Sequence, residues 1–397
     1  MIIKSAKARK IFDTLGKETV EIEIITDDGI ARNVCDSEFD KNKFAVNQHP
    51  RLGINYLIDL FNKRIFNQLK GVEIGEFSDL KKIEDVFKVY DITEKFEDIG
   101  GNIILATEYA ALKASLKEDV FKLLDEKTKR FPSIMFNIIS GGKNVVGRGN
   151  DIQEFLIIPK TKDFHECSTA AASFFQIAKN ELMKRDKDFT FIENSHFILS
   201  SGMINLEIFE MLSKVADGVE KENKIKVEIG ADIGGNSIWN GRNYEYKMFS
   251  KKDNKRNLSG NEQVEFIKKL IGNYNLMYVE DPFHDEDFDS FRELNKGFGI
   301  ISGDDLIATR TERLKLGIKK ISAVVINPAQ VGSLLKVKET VDFALDNKIA
   351  PVFPSKSFKC SNELFSSMVL GWKIPRIKMQ LDDIEKLNNL IRIKERF

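Results

Sequence analysis

Several features that would place this chain in a special class are scarce or missing. Only three cysteines occur, Cys35, Cys167 and Cys360, and none forms a CxxC pair. This sparse, odd set argues against a disulfide framework and favours a reducing compartment. Prolines number eight in 397 residues, and no low-complexity linker or short repeat interrupts the chain. The composition therefore indicates a protein that is globular throughout.

Charge of one sign and long apolar runs are also missing. Lys+Arg and Asp+Glu both number 61, so no net field draws the whole protein to nucleic acid or to an anionic membrane. No run approaches the roughly 18 apolar residues of a membrane span. The N-terminus MIIKSAKARK has no signal-peptide core. We therefore expect a cytoplasmic protein without a nucleic-acid or membrane partner.

The first third of the chain has an α+β pattern. In ETVEIEIITDDGIARNVC, Val20, Ile22 and Ile24 alternate with polar residues, and Asp28-Gly29 supplies a turn. This pattern predicts a β-hairpin. From about Leu57 to about Asp125 the apolar spacing becomes helical.

Strand-like runs then alternate with amphipathic helices along the rest of the chain. The predicted helices cover 261–274, 289–296, 310–320, 332–348 and 361–372. The predicted strand ends are Glu280, Asp304, Asn327, Ser355 and Lys378. Spacing of this kind is typical of βα units and predicts a closed parallel barrel, although a doubly wound open sheet would give a similar alternation.

Three acidic residues stand at predicted strand ends: Asp232, Glu280 and Asp304. In α/β barrels these ends meet at the mouth, where three carboxylates would repel one another unless a cation lay between them. Hard oxygen ligands suit Mg²⁺, which we predict as the cofactor. The alternative is that each acid caps the element that follows it. Asp281 and Asp305, their neighbours, are expected to orient the site or form ion pairs.

The sequence resembles the enolase family nearly from end to end. The similarity is carried by ARKIFDTLGKETVEIEIITDDG, NIILATEYAALKASLKE, FPSIMFNIISGGKN with GNDIQEFLIIP, SGDDLIATRTERL, QVGSLLKVKETVDFA and LNNLIRIKERF. It implies an α/β fold, a modified (β/α)8 TIM-type barrel preceded by an α+β capping domain. The capping domain is predicted over 1–125 and the barrel over 126–397. The resemblance also implies a homodimer or a higher homo-oligomer.

The resemblance implies Mg²⁺-assisted removal of a proton next to a carboxylate, as in dehydration of 2-phosphoglycerate to phosphoenolpyruvate. By this match Asp232, Glu280 and Asp304 fall on the three metal ligands, and Gln153 and Glu154 on the active-site wall. Lys378 aligns with the second active-site lysine. Candidate catalytic residues are Lys378, Glu154 and His196; candidate substrate-binding residues are Gln153, Lys356, Ser357, Asn144 and Asn327.

Several positions depart from the family pattern. Asn327 stands where the family has its base lysine, and an amide cannot accept a proton at neutral pH. The acidic loop of the family falls on Phe197 to Ser200, with Glu193 and His196 nearby as replacement acids; a partly buried loop histidine is the alternative for His196. Asn144 replaces a histidine, and the phosphate motif becomes Pro-Ser-Lys-Ser, with Lys356 and Ser357. CDSEFDKNKF replaces the family's mobile lid.

Three functions fit these residues. The first is an Mg²⁺-dependent lyase that stabilises the enolate of a small carboxylate or phosphocarboxylate but has diverged from phosphopyruvate hydratase, with Lys378 or His196 as base. The second is a working glycolytic enolase with a different base, which conflicts with the absence of lysine between Lys320 and Lys336. The third is a catalytically inactive paralogue that acts as a binding or assembly subunit.

Overall fold

A computed structural model describes most of the chain. The described residues are 1–13, 16–35, 42–115, 131–142, 149–186, 189, 199, 201–253, 255–297 and 299–396. The predicted boundary between the two domains, at 125/126, lies outside these ranges and stays a prediction. Among the described residues, no helix is both long enough and apolar enough to cross a membrane.

The N-terminal part contains a three-stranded antiparallel sheet in the order β1-β2-β3. Its strands are β1 Ile3–Phe12, β2 Glu18–Thr26 and β3 Ile30–Val34. The predicted hairpin is confirmed: β2 pairs antiparallel with β3, and Gly29 in the turn has φ 149°, a value that favours glycine. β1 was not predicted, because after Ile3 its buried face presents only the small side chains of Ala6 and Ala8.

Helices cover the apolar face of this sheet. They are α1 Ile54–Leu60, a π-helical segment Phe61–Ile65, α2 Phe66–Leu69, α3 Leu80–Lys88 and α4 Gly101–Ser115. α4 packs against β2 and β3. The predicted helical region is therefore confirmed as far as Ser115, but it consists of several helices separated by turns. Residues 116–130 lie outside the described part.

The second part is a closed eight-stranded barrel, which confirms the predicted fold class. Its strands are β4 Ser133–Ser140, β5 Glu154–Pro159, β6 Val227–Asp232, β9 Leu276–Glu280, β10 Ile300–Gly303, β11 Ala323–Val325, β12 Ala350–Pro354 and β13 Arg376–Met379, in the order β10-β11-β12-β13-β4-β5-β6-β9. A two-stranded sheet of β7 Tyr244–Tyr246 and β8 Arg256–Leu258 lies outside the barrel.

One strand corrects the expectation of a purely parallel barrel. β5 runs antiparallel to both of its neighbours, β4 and β6. Strands joined by a short connection pair antiparallel, whereas parallel neighbours need a long crossover that usually contains a helix. The reversal brings the first residue of β5, Glu154, to the edge where the other strands end.

The barrel helices follow the predicted alternation with small shifts at their ends. They are α5 Phe164–Arg185, α6 Asn205–Asn223, α7 Gly235–Ile238, α8 Gly260–Tyr274, α9 Phe288–Leu294, α10 Thr311–Gly317, α11 Leu334–Asp346, α12 Asn362–Gly371 and α13 Ile384–Lys394. α8 begins with a capping box in which Ser259 and Glu262 each bind the backbone of the other, which explains its sharp start.

Side chains fill the inside of the barrel below its mouth. This interior cluster comprises Met135, Leu156, Ile158, Tyr278, Ala323, Val325 and Val352, all buried. A packed interior leaves no channel through the barrel, so chemistry has to take place at the mouth, where the strands meet the loops.

The N-terminal part packs directly on the loop between β11 and α11. The amide of Val46 donates to the carbonyl of Gln330 over 3.0 Å. Gly332, with φ 63°, approaches Gly101 so closely that a Cβ built on Gly332 would lie 2.8 Å from the Gly101 Cα. This contact between two backbones places the β11–α11 loop, and it requires glycine at both positions.

Candidate active site

Three acidic residues stand side by side at the barrel mouth. Glu154 is the first residue of β5, while Asp232 and Glu280 are the last residues of β6 and β9. Across the sheet Glu154 pairs with Asp232, and Asp232 pairs with Glu280. Strand register therefore brings Glu154 into the same row as two of the predicted metal ligands.

The ammonium of Lys378 lies among these three carboxylates. Its Nζ is 2.7 Å from Glu280 Oε1, 2.9 Å from Glu154 Oε2 and 3.6 Å from Asp232 Oδ2. Lys378 belongs to β13, where alternation directs its side chain to the mouth while Ile377 packs in the outer core. Side chains from strands on opposite sides of the barrel therefore meet at the buried ammonium of Lys378.

The charges in this row shift the pKa values of their neighbours. Burial, followed by repulsion from Glu280, raises the pKa of Asp232 well above its usual value, against the opposing effect of Lys378. Burial alone would lower the pKa of Lys378, but Glu154, Glu280 and Asp232 outweigh it and raise that pKa well above its usual value. The three carboxylates therefore favour the ammonium form of Lys378 in this arrangement.

Neutral polar groups hold the row in place from below and from the side. Tyr278 Oη, inside the barrel, donates to Glu280 Oε2 over 2.6 Å. Gln153 Nε2 and the amide of Gly234 each donate to Asp232 over 3.0 Å. The Oε1 atom of Gln153 is buried and has no hydrogen-bond partner among the described residues. It is a further oxygen available beside Asp232.

Asp304 lies in a second, adjacent network. It follows β10, and its Oδ1 accepts from Gln330 Nε2 over 2.8 Å. The buried carboxylate of Asp281 accepts from the backbone amides of Asp304 over 3.0 Å and of Asp305 over 2.8 Å. Asp281 thus holds the turn after β10, in agreement with the orienting role expected for it. Burial and repulsion from Asp305 and Asp304 raise its pKa well above the usual value.

The donor chemistry of the mouth fits a hard divalent cation, although the described residues form no complete cage for one. The described side chains include no group of three or more His, Cys, Asp or Glu residues already arranged around one metal position. Asp232 and Glu280 meet at Lys378, whereas Asp304 is bound by Gln330. The adjacent carboxyl oxygens of Asp232 and Glu280 and the amide oxygen of Gln153 are nevertheless the hard donor type that Mg²⁺ takes. The predicted set of Asp232, Glu280 and Asp304 stays a prediction.

Asn327 serves as a cap at the end of its strand. Its side-chain Oδ1 accepts from the backbone amide of Ala329 over 3.1 Å, at the start of the 3₁₀ turn Pro328–Gln330. Its backbone amide donates to Thr309 Oγ1 over 2.8 Å. Asn327 therefore carries a neutral amide that stabilises a turn, and its alignment with a base lysine stays a prediction.

Lys356 and Ser357 follow β12 in the 3₁₀ turn Ser355–Ser357. Pro354, just before this turn, pairs with Lys378 on β13, so Lys356 lies at the same edge of the barrel. Its Nζ is 3.4 Å from Asp382 Oδ2. Ser357 lines a small cavity that Asn102 of the N-terminal part also lines.

Two candidate residues cannot be placed, and others were missed. Asn144 and His196 lie outside the described residues, as do Glu193 and most of the segment in the lid position, 36–41. Gln330 and Tyr278 were not predicted, although both hold predicted ligands. The signal for Gln330 was present, because it lies three residues after Asn327 in the aligned motif.

Both family models that match this chain describe enolase. The model "Enolase, N-terminal domain" matches residues 3–125, and "Enolase, C-terminal TIM barrel domain" matches residues 128–397. Together the matches leave out only a few residues. The second match agrees with the closed barrel of the C-terminal part.

Curated relatives cover the chain over almost its whole length. It is 33% identical to the enolase of Pyrobaculum aerophilum, over 99% of this chain and 96% of that protein. It is 30% identical to the enolases of Methanosphaera stadtmanae and Methanothermobacter thermautotrophicus, over 99% of this chain and 97% and 96% of those proteins.

Proposed function

Since this chain belongs to the enolase family, we propose that it is an Mg²⁺-dependent carbon–oxygen lyase. Its substrate is a small carboxylate or phosphocarboxylate, and its chemistry passes through an enolate. Because Asn327 replaces the base lysine, we propose that the reaction has diverged from efficient dehydration of 2-phosphoglycerate. Removing a general base commonly costs about 10²- to 10⁴-fold in rate.

One observation carries this proposal: Glu154, Asp232 and Glu280 surround Lys378 at the barrel mouth. Three carboxylates around one ammonium leave an excess of negative charge. Such a concentration of buried acid costs free energy, and in a barrel it stands where substrates bind. A site that only capped helices would not need this arrangement.

The residues that would hold Mg²⁺ are Asp232, Glu280 and Asp304. When bound, the ion supplies positive charge that stabilises developing negative charge on the substrate's carboxylate oxygens. Gln330 orients Asp304, and Gln153 orients Asp232. These two amides restrict the carboxylates to positions facing the mouth.

The chain's own charged side chains supply the remaining functions. Lys378, kept protonated by its carboxylates, attracts a substrate carboxylate; once it has passed its proton to Glu154, its Nζ can accept the proton next to that carboxylate. Glu154, 2.9 Å from Lys378 Nζ, can exchange a proton with it. Lys356 at the neighbouring strand end can attract a phosphate as a point charge, with Ser357 beside it. Asn144, Asn327 and His196 remain candidates from the sequence alone.

Other properties implied by the family are part of the same proposal. We propose a homodimer in the cytoplasm, with residues 1–125 as the capping domain and residues 126–397 as the barrel. The substrate is small and anionic, and a role related to glycolysis follows if phosphoenolpyruvate is the product.

The test combines a coupled assay of 2-phosphoglycerate conversion with calorimetric titration of Mg²⁺. We expect Mg²⁺ binding that Asp232→Asn weakens, with turnover far below the ordinary enzyme range of about 1–10³ s⁻¹. Asp346→Asn, at the exposed end of α11, is the matched control and should leave binding unchanged. Turnover within that range would contradict divergence at Asn327.

A second candidate function is favoured by Asn327, whose side chain caps a turn. A catalytically inactive paralogue, acting as a binding or assembly subunit, would show neither Mg²⁺ binding nor turnover. That result, with a folded protein, would replace the lyase proposal.

A further inference from the structure

Two glutamates of the N-terminal part are buried against the start of a barrel helix. Glu108 of α4 is 0% exposed, and its Oε2 accepts from the backbone amide of Leu334 over 2.9 Å. Glu84 of α3 accepts from the hydroxyl of Ser333. Ser333 and Leu334 begin α11, so both carboxyl groups hold the end of the β11–α11 loop.

The two carboxyl groups also meet each other. Glu108 Oε1 is buried and has no hydrogen-bond partner among the described residues, and the two carboxyl groups bind consecutive residues, Ser333 and Leu334. Two ionised carboxylates in this position would repel each other, whereas one shared proton converts the contact into a hydrogen bond. Burial, followed by repulsion from Glu84, raises the pKa of Glu108 well above its usual value.

The loop held by this pair carries a residue of the candidate active site. Gln330 lies three residues before Ser333 and donates to Asp304. On its other side the loop is restrained by the amide of Val46 and by the close approach of Gly332 to Gly101. All of these restraints come from the N-terminal part. Within the barrel, Thr309 Oγ1 also donates to Gln330 Oε1 over 2.7 Å. The N-terminal part therefore holds the backbone of the loop, and Thr309 helps to hold the side chain of Gln330.

We infer that Glu84 and Glu108 share one proton and act as a positioning pair, holding the β11–α11 loop so that Gln330 stays hydrogen-bonded to Asp304. The pair does not touch the barrel mouth and acts only through the loop. Its importance for metal binding rests on the proposed function, but its shared proton and its effect on Gln330 do not.

Other charged groups face the pair through a cavity of about 340 Å³. Glu84 and Ser333 line this cavity together with Lys88, Asp91, Glu94 and Lys336. Lys81 also interacts electrostatically with Glu84. The Asp91 carboxylate accepts from the amides of Thr93, Asp98 and Ile99, and Lys336 lies 5.5 Å from the Phe96 ring centroid.

The shared proton is tested first by infrared difference spectroscopy. Glu108→Gln keeps the shape and both hydrogen bonds without a titratable proton. We expect the parent protein at neutral pH to show one protonated-carboxyl band that is missing from the spectrum of this variant. Glu339→Gln, on the exposed side of α11, is the control and should keep that band. An unchanged band in Glu108→Gln would overturn the inference.

Stability against pH gives a second test with a defined sign. A folded-state pKa above the unfolded value of about 4.3 means that the folded protein keeps a proton that the unfolded chain releases. The folding equilibrium constant of the parent should therefore fall by up to tenfold per pH unit above that value, until Glu108 ionises. Glu108→Gln should remove this slope and become relatively more stable as the pH rises. Equal slopes in both proteins would contradict the shared proton.

Positioning is tested by the side-chain amide resonance of Gln330 in NMR spectra, assigned by its loss in Gln330→Glu. Glu108→Leu, which cannot accept from Leu334, should shift this resonance, whereas Glu108→Gln should restore it. Should Glu108→Leu fail to fold, Glu108→Ala or Ser333→Ala provides the same comparison. An unshifted resonance would show that the pair is only structural. Failure of Mg²⁺ titration in the parent would refute the proposed function and leave these three readouts intact.

Discussion

Replacing Lys378 by methionine tests the charge balance of the barrel mouth most directly. The ammonium contacts Glu280, Glu154 and Asp232 at 2.7, 2.9 and 3.6 Å and is only 9% exposed. Methionine preserves much of the side-chain volume but leaves three carboxylates without their cation. Breaking a buried ion pair by removing one partner costs about 3–5 kcal/mol. We expect a loss of that size in the free energy of unfolding without Mg²⁺ at neutral pH.

The dependence on pH has a definite sign. Because the pKa of Lys378 is raised in the folded protein, its contribution is fully present below the unfolded lysine value of about 10.4 and is lost only as the pH rises through the folded value. The parent therefore keeps this contribution at neutral pH. In the variant, the carboxylates can take up protons as the pH falls, so the loss should shrink toward about pH 4.

The assay is urea unfolding in the presence of a chelator and, separately, with excess Mg²⁺. At a concentration of 100 times the dissociation constant, a ligand specific for the folded state stabilises it by about 2.7 kcal/mol. The gain should be larger in the variant than in the parent, because the ion then neutralises carboxylates that have no ammonium. Lys214→Met on the exposed face of α6 is the control, with an expected change within about 0.5 kcal/mol. A variant as stable as the parent in chelator would refute the reasoning.

Three further changes address other parts of the site. Asp304→Asn should abolish Mg²⁺ binding in calorimetry, and unchanged affinity would remove Asp304 from the ligand set. Asn327→Lys alone should restore little dehydration of 2-phosphoglycerate, because it also breaks the cap on Ala329; strong recovery in the coupled assay would mean that only the base was missing. Gly332→Ala should lower the unfolding free energy by about 1–3 kcal/mol, since φ is 63° and the new Cβ would meet Gly101; a wild-type urea midpoint would contradict the close backbone contact.

Local pattern was sufficient for much of the architecture. The β2–β3 hairpin was readable from alternation and an Asp-Gly turn, and the later βα units from their spacing. β1 was missed because alanines and lysines give little apolar contrast along it. The reversal of β5 was also missed, since the direction of a strand depends on its connections and neighbours and not on its own residues.

The candidate site divides in the same way. Acidic residues at strand ends could be recognised from the sequence, because a strand end in a barrel is a position at the mouth. The separation of the predicted ligands into two networks could not be read from the sequence. It depends on the Lys378 ammonium, which reaches Glu280 from a strand 98 residues away, and on Gln330, whose amide binds Asp304.

What the sequence by itself determined is the set of elements, their order and the chemical types available at the mouth, because these follow from periodicity and from residues adjacent in the chain. Tertiary structure alone decided which charges compensate one another and which domain holds which loop. Glu84 and Glu108 show the reason: their meeting with Ser333 and Leu334 joins residues more than 200 positions apart. Electrostatic interactions depend on the distance between charges. For residues far apart in the sequence, that distance is fixed only by folding.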